Sequence, residues 1–475
     1  MNDTSLHPYS VGTAVKRRWL TLLTLCLAVL VVQIDTAVVN LATHPISEYF
    51  TASIGTLQWV VDSYNLVYAV LLLTGGLLAD LYGRRRIFMI GAAIFMAASL
   101  LCALAFSVSV LIGGRVLAGF GAALLIPASL AIIRVVWQDH VERGRALGIW
   151  AACNGLAMAI GPTLGGLLVR QFGWRSIFFI VIPLSLAALI LAIPSIPETS
   201  DPENRHFDAK AQILGALALG GLAFAAIQSH EASSTAVAAF IVSLLAFALF
   251  IGVETKIGSA ALVPLDIFRI RGFLGAVTAT TGMTFGMYGT LFLLPLTWQS
   301  TGRLNAAGAG LALMPMALIF VLVSPFSGTL TARLGTRILA AVGVAIIGSG
   351  LLLIGFSAHR VSIVLTESGL GLTGLGMGLA TGPLMGAAVG SVAAARAGTA
   401  SALINVARMI GAVLGVAVLG AVFAVVHGGS DGLRLAMFLG GLVQLACAAM
   451  AWTMMRPDST TGLLKKQKSK FVFPI

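Results

Sequence analysis

Fourteen stretches of this chain are each long and apolar enough to cross a lipid bilayer, which takes about 20 mainly apolar residues in helical form. They cover, to within a few residues, 19–41, 54–78, 87–106, 108–133, 146–169, 177–194, 211–228, 236–253, 273–298, 308–330, 338–356, 361–385, 400–426 and 433–455. Inside lipid the backbone has to satisfy its own polar groups, so such stretches read as helices. The fold class expected is therefore an all-α integral membrane protein. Composition agrees: 58% of the 475 residues are hydrophobic and 10% charged, against about 25% charged in a soluble domain. A water-soluble fold of this length could not hide so much apolar surface. The first stretch follows Lys16, Arg17 and Arg18, as a signal peptide would. It continues through Gln33, Ile34 and Asp35 without a small-residue cleavage pattern, and reads as a retained helix.

The formal charge is +12, from 29 Lys and Arg against 17 Asp and Glu. On a soluble protein this would point to nucleic acid; between membrane spans it marks the loops that face the cytoplasm. With the N-terminus inside, cytoplasmic segments hold 22 of the 29 cations and external ones hold five, namely Arg170, Arg175, Arg303, Arg360 and Arg434. Arg115 and Arg408 lie within spans. The expectation is a multi-pass protein with both termini in the cytoplasm, no nucleic-acid partner, and a basic tail attracted to anionic lipid. The four cysteines fall in four different spans without CxxC spacing, and no span carries a histidine. Neither a metal site nor a catalytic constellation is expected, so the chain is not read as an enzyme. Proton chemistry inside the membrane has to rest on carboxylates.

Two loops repeat. Gly76, Leu78, Gly83 and Arg85 stand at offsets 0, 2, 7 and 9, and Gly328, Leu330, Gly335 and Arg337 match them eight spans later. Same-facing repeats are one way of building transporters. Two six-helix halves would separate matching loops by six spans, so eight implies an inserted pair. The expected units are an N-terminal six-helix half (1–196), an inserted pair with polar flanking linkers (197–271), a C-terminal half (272–456) and a basic tail (457–475).

These residues resemble the major facilitator superfamily, in its fourteen-helix drug:proton antiporter branch, over essentially the whole chain. Gly76-x-Leu78-Ala79-Asp80-x-x-Gly83-Arg84-Arg85 resembles the superfamily's loop 2–3 motif, with Leu81 at a usually basic position. Ile34-Asp35-Thr36-Ala37-Val38-Val39-Asn40 resembles the branch's span-1 motif. Arg115 to Ala123 resembles the span-4 motif, with Ala118 where Gln is usual. Gly148 and Gly161-Pro162-Thr163-Leu164-Gly165-Gly166 resemble the span-5 antiporter motif, with Ala157 replacing one glycine. Asn405 to Arg408, with Gly411, Gly415 and Gly420, resembles span 13. The resemblance implies a cytoplasmic gate formed by Gly76, Asp80, Gly83, Arg84 and Arg85, latching the outward-facing state through Asp80 and a facing helix end. It implies too that Gly148, Gly161, Pro162, Gly165 and Gly166 seal the contact between halves. Ala332 replaces the aspartate in the second copy of the loop.

Charges inside spans are costly and face a wet cavity or a partner. Helix rise places Asp35, Asp62 and Arg115 roughly 9, 12 and 10 Å from the outer ends of spans 1, 2 and 4. A buried guanidinium has to be paired, and either Asp35 or Asp62 could serve. Glu367 and Arg408 are the strong charges within C-terminal spans. These five are the candidates for proton coupling and for holding a substrate cation; a permanent structural ion pair is the competing reading for Arg115. Candidate pocket lining comprises Asn40, Trp59, Tyr64, Asn154, Met283, Phe285, Tyr288, Met314 and Asn405, because soft side chains suit a promiscuous apolar pocket and buried amides need partners.

The expected function is a proton-coupled antiporter of a bacterial inner membrane, exporting amphipathic, often cationic drugs or antiseptics by alternating access. It would be driven by the proton gradient with no cofactor, and the resemblance implies a monomer. The alternative is a superfamily symporter or uniporter for a small polar metabolite.

Overall fold

The structure, a computed structural model, describes residues 8–200, 208–229, 234–258, 263–360, 362–393 and 396–455. The basic tail and Arg205 lie outside the described residues. Within them the chain forms fourteen long helices. The first six are α1 (Pro8–Phe50), α2 (Ile54–Tyr82), α3 (Arg84–Ala103), α4 (Val108–Val136), α5 (His140–Phe172) and α6 (Ser176–Ser195). Then come α7 (Ala209–Gln228) and α8 (Ser234–Ile257). The last six are α9 (Arg271–Ser300), α10 (Ala306–Leu334), α11 (Thr336–Arg360), α12 (Ile363–Gly390), α13 (Ala397–Val425) and α14 (Gly429–Met454). Helix α10 is broken at Leu313 and again by a 3-10 turn at Ser324–Phe326. Pro315 and Pro325 lie beside those breaks, and each removes a backbone donor.

Thirteen of these helices are apolar enough to cross a bilayer. The exception is α9, at 30 residues long enough but rich in Thr and Gly. The reason is its position: every residue from Gly282 to Gln299 is buried in protein, so no part of that run has to be soluble in lipid. At the other extreme α8 packs chiefly on α7 and leaves Phe240, Leu244, Leu245 and Phe247 exposed, as a helix facing lipid tails does.

Packing follows one scheme used twice. In the first six helices, α1 packs on α5 and α6, α4 on α2 and α3, and α3 on α6. Raising each number by eight gives the second set: α9 on α13 and α14, α12 on α10 and α11, and α11 on α14. The two bundles meet through α2 on α13, through its equivalent α10 on α5, and through α1 on α9. The repeated loop eight spans apart is the sequence trace of this symmetry. The inserted pair breaks it, because α7 packs against both α2 and α13. Its polar anchor is Gln212, whose Nε2 donates to the Val70 carbonyl at 2.6 Å while its Oε1 accepts from the Thr74 hydroxyl.

Candidate functional site

The long apolar helices α1 and α4 bring together two of the charges they can least accommodate. Arg115 Nη1 donates to Asp35 Oδ2 at 2.5 Å, and each side chain is 1% exposed. Arg115 Nε donates to the Val60 carbonyl at 3.0 Å. Its guanidinium carbon stands 4.4 Å from the centre of the Tyr64 ring. A carboxylate, a carbonyl and an aromatic face together meet what a buried guanidinium requires. Tyr64 is fixed in turn: its hydroxyl donates to the Val32 carbonyl at 3.4 Å and accepts from Thr36 Oγ1 at 3.3 Å. Of the two aspartates at similar depth, Asp35 is therefore the one that holds Arg115. Asp62 stands apart on α2, fully buried, and among the described residues neither carboxyl oxygen has a hydrogen-bond partner.

The halves are sealed at one end, where α1, α5, α9 and α13 finish and α2 and α10 begin. Gln58 of α2 donates from Nε2 to the carbonyls of Val416 and Ala417 on α13, both at 2.9 Å. Gln299 of α9 donates to the Leu41 carbonyl on α1 at 3.2 Å. Small residues let the backbones touch. A Cβ on Gly166 would meet the Ala306 carbonyl, one on Gly310 the Pro162 carbonyl, and one on Gly420 the Gln58 amide. Gly161 and Gly165 serve the contact with α1 instead, since a Cβ there would lie 2.5 Å from Ala37 Cβ and 2.9 Å from Val38 Cβ. Gly148 has open space beside it. At this end a single apolar cluster runs through both halves, from Val38 and Trp174 to Phe292 and Val416. A second cluster, around Phe88, Phe95 and Ile132, belongs to the N-terminal half.

Beside the seal lies a narrow apolar cleft lined by Ala37, Pro162, Leu291, Met316, Phe320 and Met377. It thus draws on both halves. Met316, rather than the predicted Met314, reaches it, because Met314 begins the helical segment after the break in α10. Met283, Phe285 and Tyr288 are buried on α9. Met283 accepts a hydrogen bond from Thr381 on sulfur, and its carbonyl accepts from the buried Gln444. Arg408, half-buried on α13, lies within electrostatic reach of Tyr68 of α2 and Tyr288 of α9. Asn405 donates back to the Ser401 carbonyl of its own helix, and Asn40 likewise to Thr36. Trp59 points elsewhere: its ring packs on Phe224 of the inserted α7, centroids 6.1 Å apart. Glu367 is half-buried with one oxygen unpartnered among the described residues. The Asn154 side chain lies outside the described residues.

At the opposite end, Gly83 takes a φ of +107° between α2 and α3, a conformation that favours glycine. Asp80 is held by Arg84, one turn on, at 2.7 Å. The first turn of α3 is capped from a distance: Glu198, just after α6, accepts from the backbone N–H groups of Arg85 and Arg86, both at 3.2 Å. Arg84 N–H donates to the Thr199 carbonyl at 2.8 Å.

Two helical bundles packed by one scheme and closed on each other at one end, with charges buried inside the first, define a multi-pass membrane transport protein. The chain belongs to the Major Facilitator Superfamily, whose family model matches residues 25–416. It is 36% identical to the multidrug resistance protein Stp of Mycobacterium tuberculosis, over 85% of this chain and 76% of that protein. It is 32% identical to the methylenomycin A resistance protein of Bacillus subtilis, over 98% and 99% of the two chains. It is also 32% identical to the multidrug efflux pump LfrA of Mycolicibacterium smegmatis, over 86% and 81%.

Proposed function

We propose that this chain exports amphipathic, cationic drugs or antiseptics in exchange for protons, by alternating access, across a bacterial inner membrane. Three relatives named for drug resistance or efflux support drugs as the cargo. The observation that carries the coupling is the buried Asp35–Arg115 pair. Its carboxylate lies between α1 and α4, buried within the N-terminal half. A proton taken up by this carboxylate displaces Arg115 or a substrate cation from it, and loss of the proton restores the negative charge that draws one of them back.

The 22 cations assigned to one face support a reading with both termini in the cytoplasm. The end sealed by Gln58, Gln299 and Gly166 is then the external one, and the structure is the inward-facing state. The moving bodies are residues 1–196 and 272–456, with 197–271 carried between them, and a single chain suffices for transport.

A susceptibility panel tests this in cells lacking other pumps, with wild type and Asp35→Asn at equal expression. Wild type raises tolerance to lipophilic cations several-fold and the variant does not. An unchanged panel for wild type, or equal resistance from the variant, contradicts the proposal.

A further inference from the structure

Five buried side-chain oxygens on α2 are left without a partner among the described residues: Gln58 Oε1, both of Asp62, Ser63 Oγ and Asn65 Oδ1. Gln58 Oε1 and the two Asp62 oxygens stand out because buried polar groups are nearly always satisfied and, among the described residues, none of the three has a hydrogen-bond partner. They lie at i and i+4 of one helix, the spacing at which Gln and Asp side chains reach each other. The Gln58 amide hydrogens are committed, to Val416 and Ala417 of α13 at 2.9 Å. A single proton on Asp62 pairs these two side chains, because the carboxyl O–H can then donate to Gln58 Oε1. From these positions we infer that Gln58 is a proton-controlled latch of the external seal, held against α13 while Asp62 carries a proton and released when it is lost.

The release follows from the chemistry of the two groups. An ionised Asp62 has no hydrogen to donate and repels Gln58 Oε1. The stable arrangement for a buried carboxylate is to accept from the amide N–H₂ one turn away, which turns those hydrogens away from α13. The Val416 and Ala417 carbonyls then lose their cross-half partner. A Cβ on Gly420 would meet the Gln58 amide, so the glycine keeps the space the latch occupies.

Other charges do not take over the role of the proton. Asp35 of α1 and Arg115 of α4 neutralise each other, and His44 and Glu48 pair near the end of α1. Arg408 of α13 lies by Tyr68, six residues beyond Asp62 on α2. The charges of α3 and α7, and Arg134 of α4, stand at the opposite end of the bundle. The inference rests on the proton-coupled reading, and it gives the direction antiport needs. A proton taken from outside closes the external seal, and its loss to the cytoplasm lets the seal open with substrate aboard.

The test uses the full chain in detergent without any drug, spin-labelled at Phe106 and Val425. Both are exposed, at the sealed end and in opposite halves. Double electron–electron resonance reads the closed and open populations against pH. Wild type is expected to open as pH rises. Asp62→Asn, whose amide can still donate to Gln58, stays closed throughout. Gln58→Leu raises the open population about tenfold at low pH, the worth of one or two net hydrogen bonds, and flattens the pH response. The double variant follows Gln58→Leu. A merely structural glutamine would shift the balance equally at every pH; that result, or Asp62→Asn opening like wild type, overturns the inference. Because no substrate is present, failure of the drug-export reading leaves this readout unchanged.

Discussion

The guanidinium of Arg115 meets the carboxylate of Asp35 at 2.5 Å in a contact that leaves each side chain 1% exposed. It joins α4 to α1 within one half and leaves Asp62, one helix over, without a partner among the described residues. One aspartate thus meets a cation of its own half, which has to let go before a proton can take its place, and the other has no such cation beside it.

Removing one member of that pair strands the other. Arg115→Gln is expected to cost about 3–5 kcal/mol, the usual penalty for leaving a buried charge unpaired. Asp35→Asn in the same chain should return much of it. Thermal unfolding of the purified single and double variants in detergent checks this. Equal loss in the single and double variants would mean that the pair is not the source.

The seal rests on contacts between backbones, which cannot yield as a flexible side chain can. Gly166→Val or Gly310→Val would press a side chain onto the carbonyl of Ala306 or Pro162. Overpacking of this kind costs about 1–3 kcal/mol, here borne by the closed state alone. The expected outcome is a proton leak in proteoliposomes and a larger open population. Gly148→Ala, with open space beside it, should change neither.

At the opposite end, Glu198→Ala removes the acceptor for two backbone donors at the start of α3. Loss of such a cap costs about 1 kcal/mol. Hydrogen exchange should quicken in the first turn of α3 while the seal is unaffected.

Outside the spans, Arg396 donates to the carboxylate of Asp266, and that bond holds the acid below the ordinary carboxylate range. An acid lowered by folding contributes its bond at pH above the ordinary range and loses it as pH falls through its own, lower one. A nitroxide at exposed Ile270 should therefore gain mobility on acidification below the usual carboxylate range. Arg396→Gln should show that mobility already at neutral pH.

Much of this site is legible in the amino-acid sequence. Helix rise alone puts Asp35 and Arg115 at one depth, and the cost of a bare guanidinium in lipid demands that they pair with something. Depth does not tell which way a side chain faces around its helix, so Asp62 stands equal to Asp35 until packing separates them. The same blindness assigns Trp59 to a central pocket when it faces α7. The glutamines are within reach of the reasoning that singles out Asn154 and Asn405 in the sequence: an amide inside a span needs a partner, and Gln58, Gln299 and Gln444 are such amides. Their partners are backbone carbonyls on distant helices, which leave no mark in sequence. Glu198 caps a helix more than a hundred residues earlier and is equally silent.

The central claim is that protons move through Asp35 in exchange for drug. The most direct measurement uses inside-out vesicles carrying an acid-interior gradient, read by a quenched acridine dye, with tetraphenylphosphonium added outside. Wild type should discharge the gradient on addition of the cation, and Asp35→Asn, folded and present in equal amount, should leave it standing. Discharge by Asp35→Asn at the wild-type rate would contradict the account.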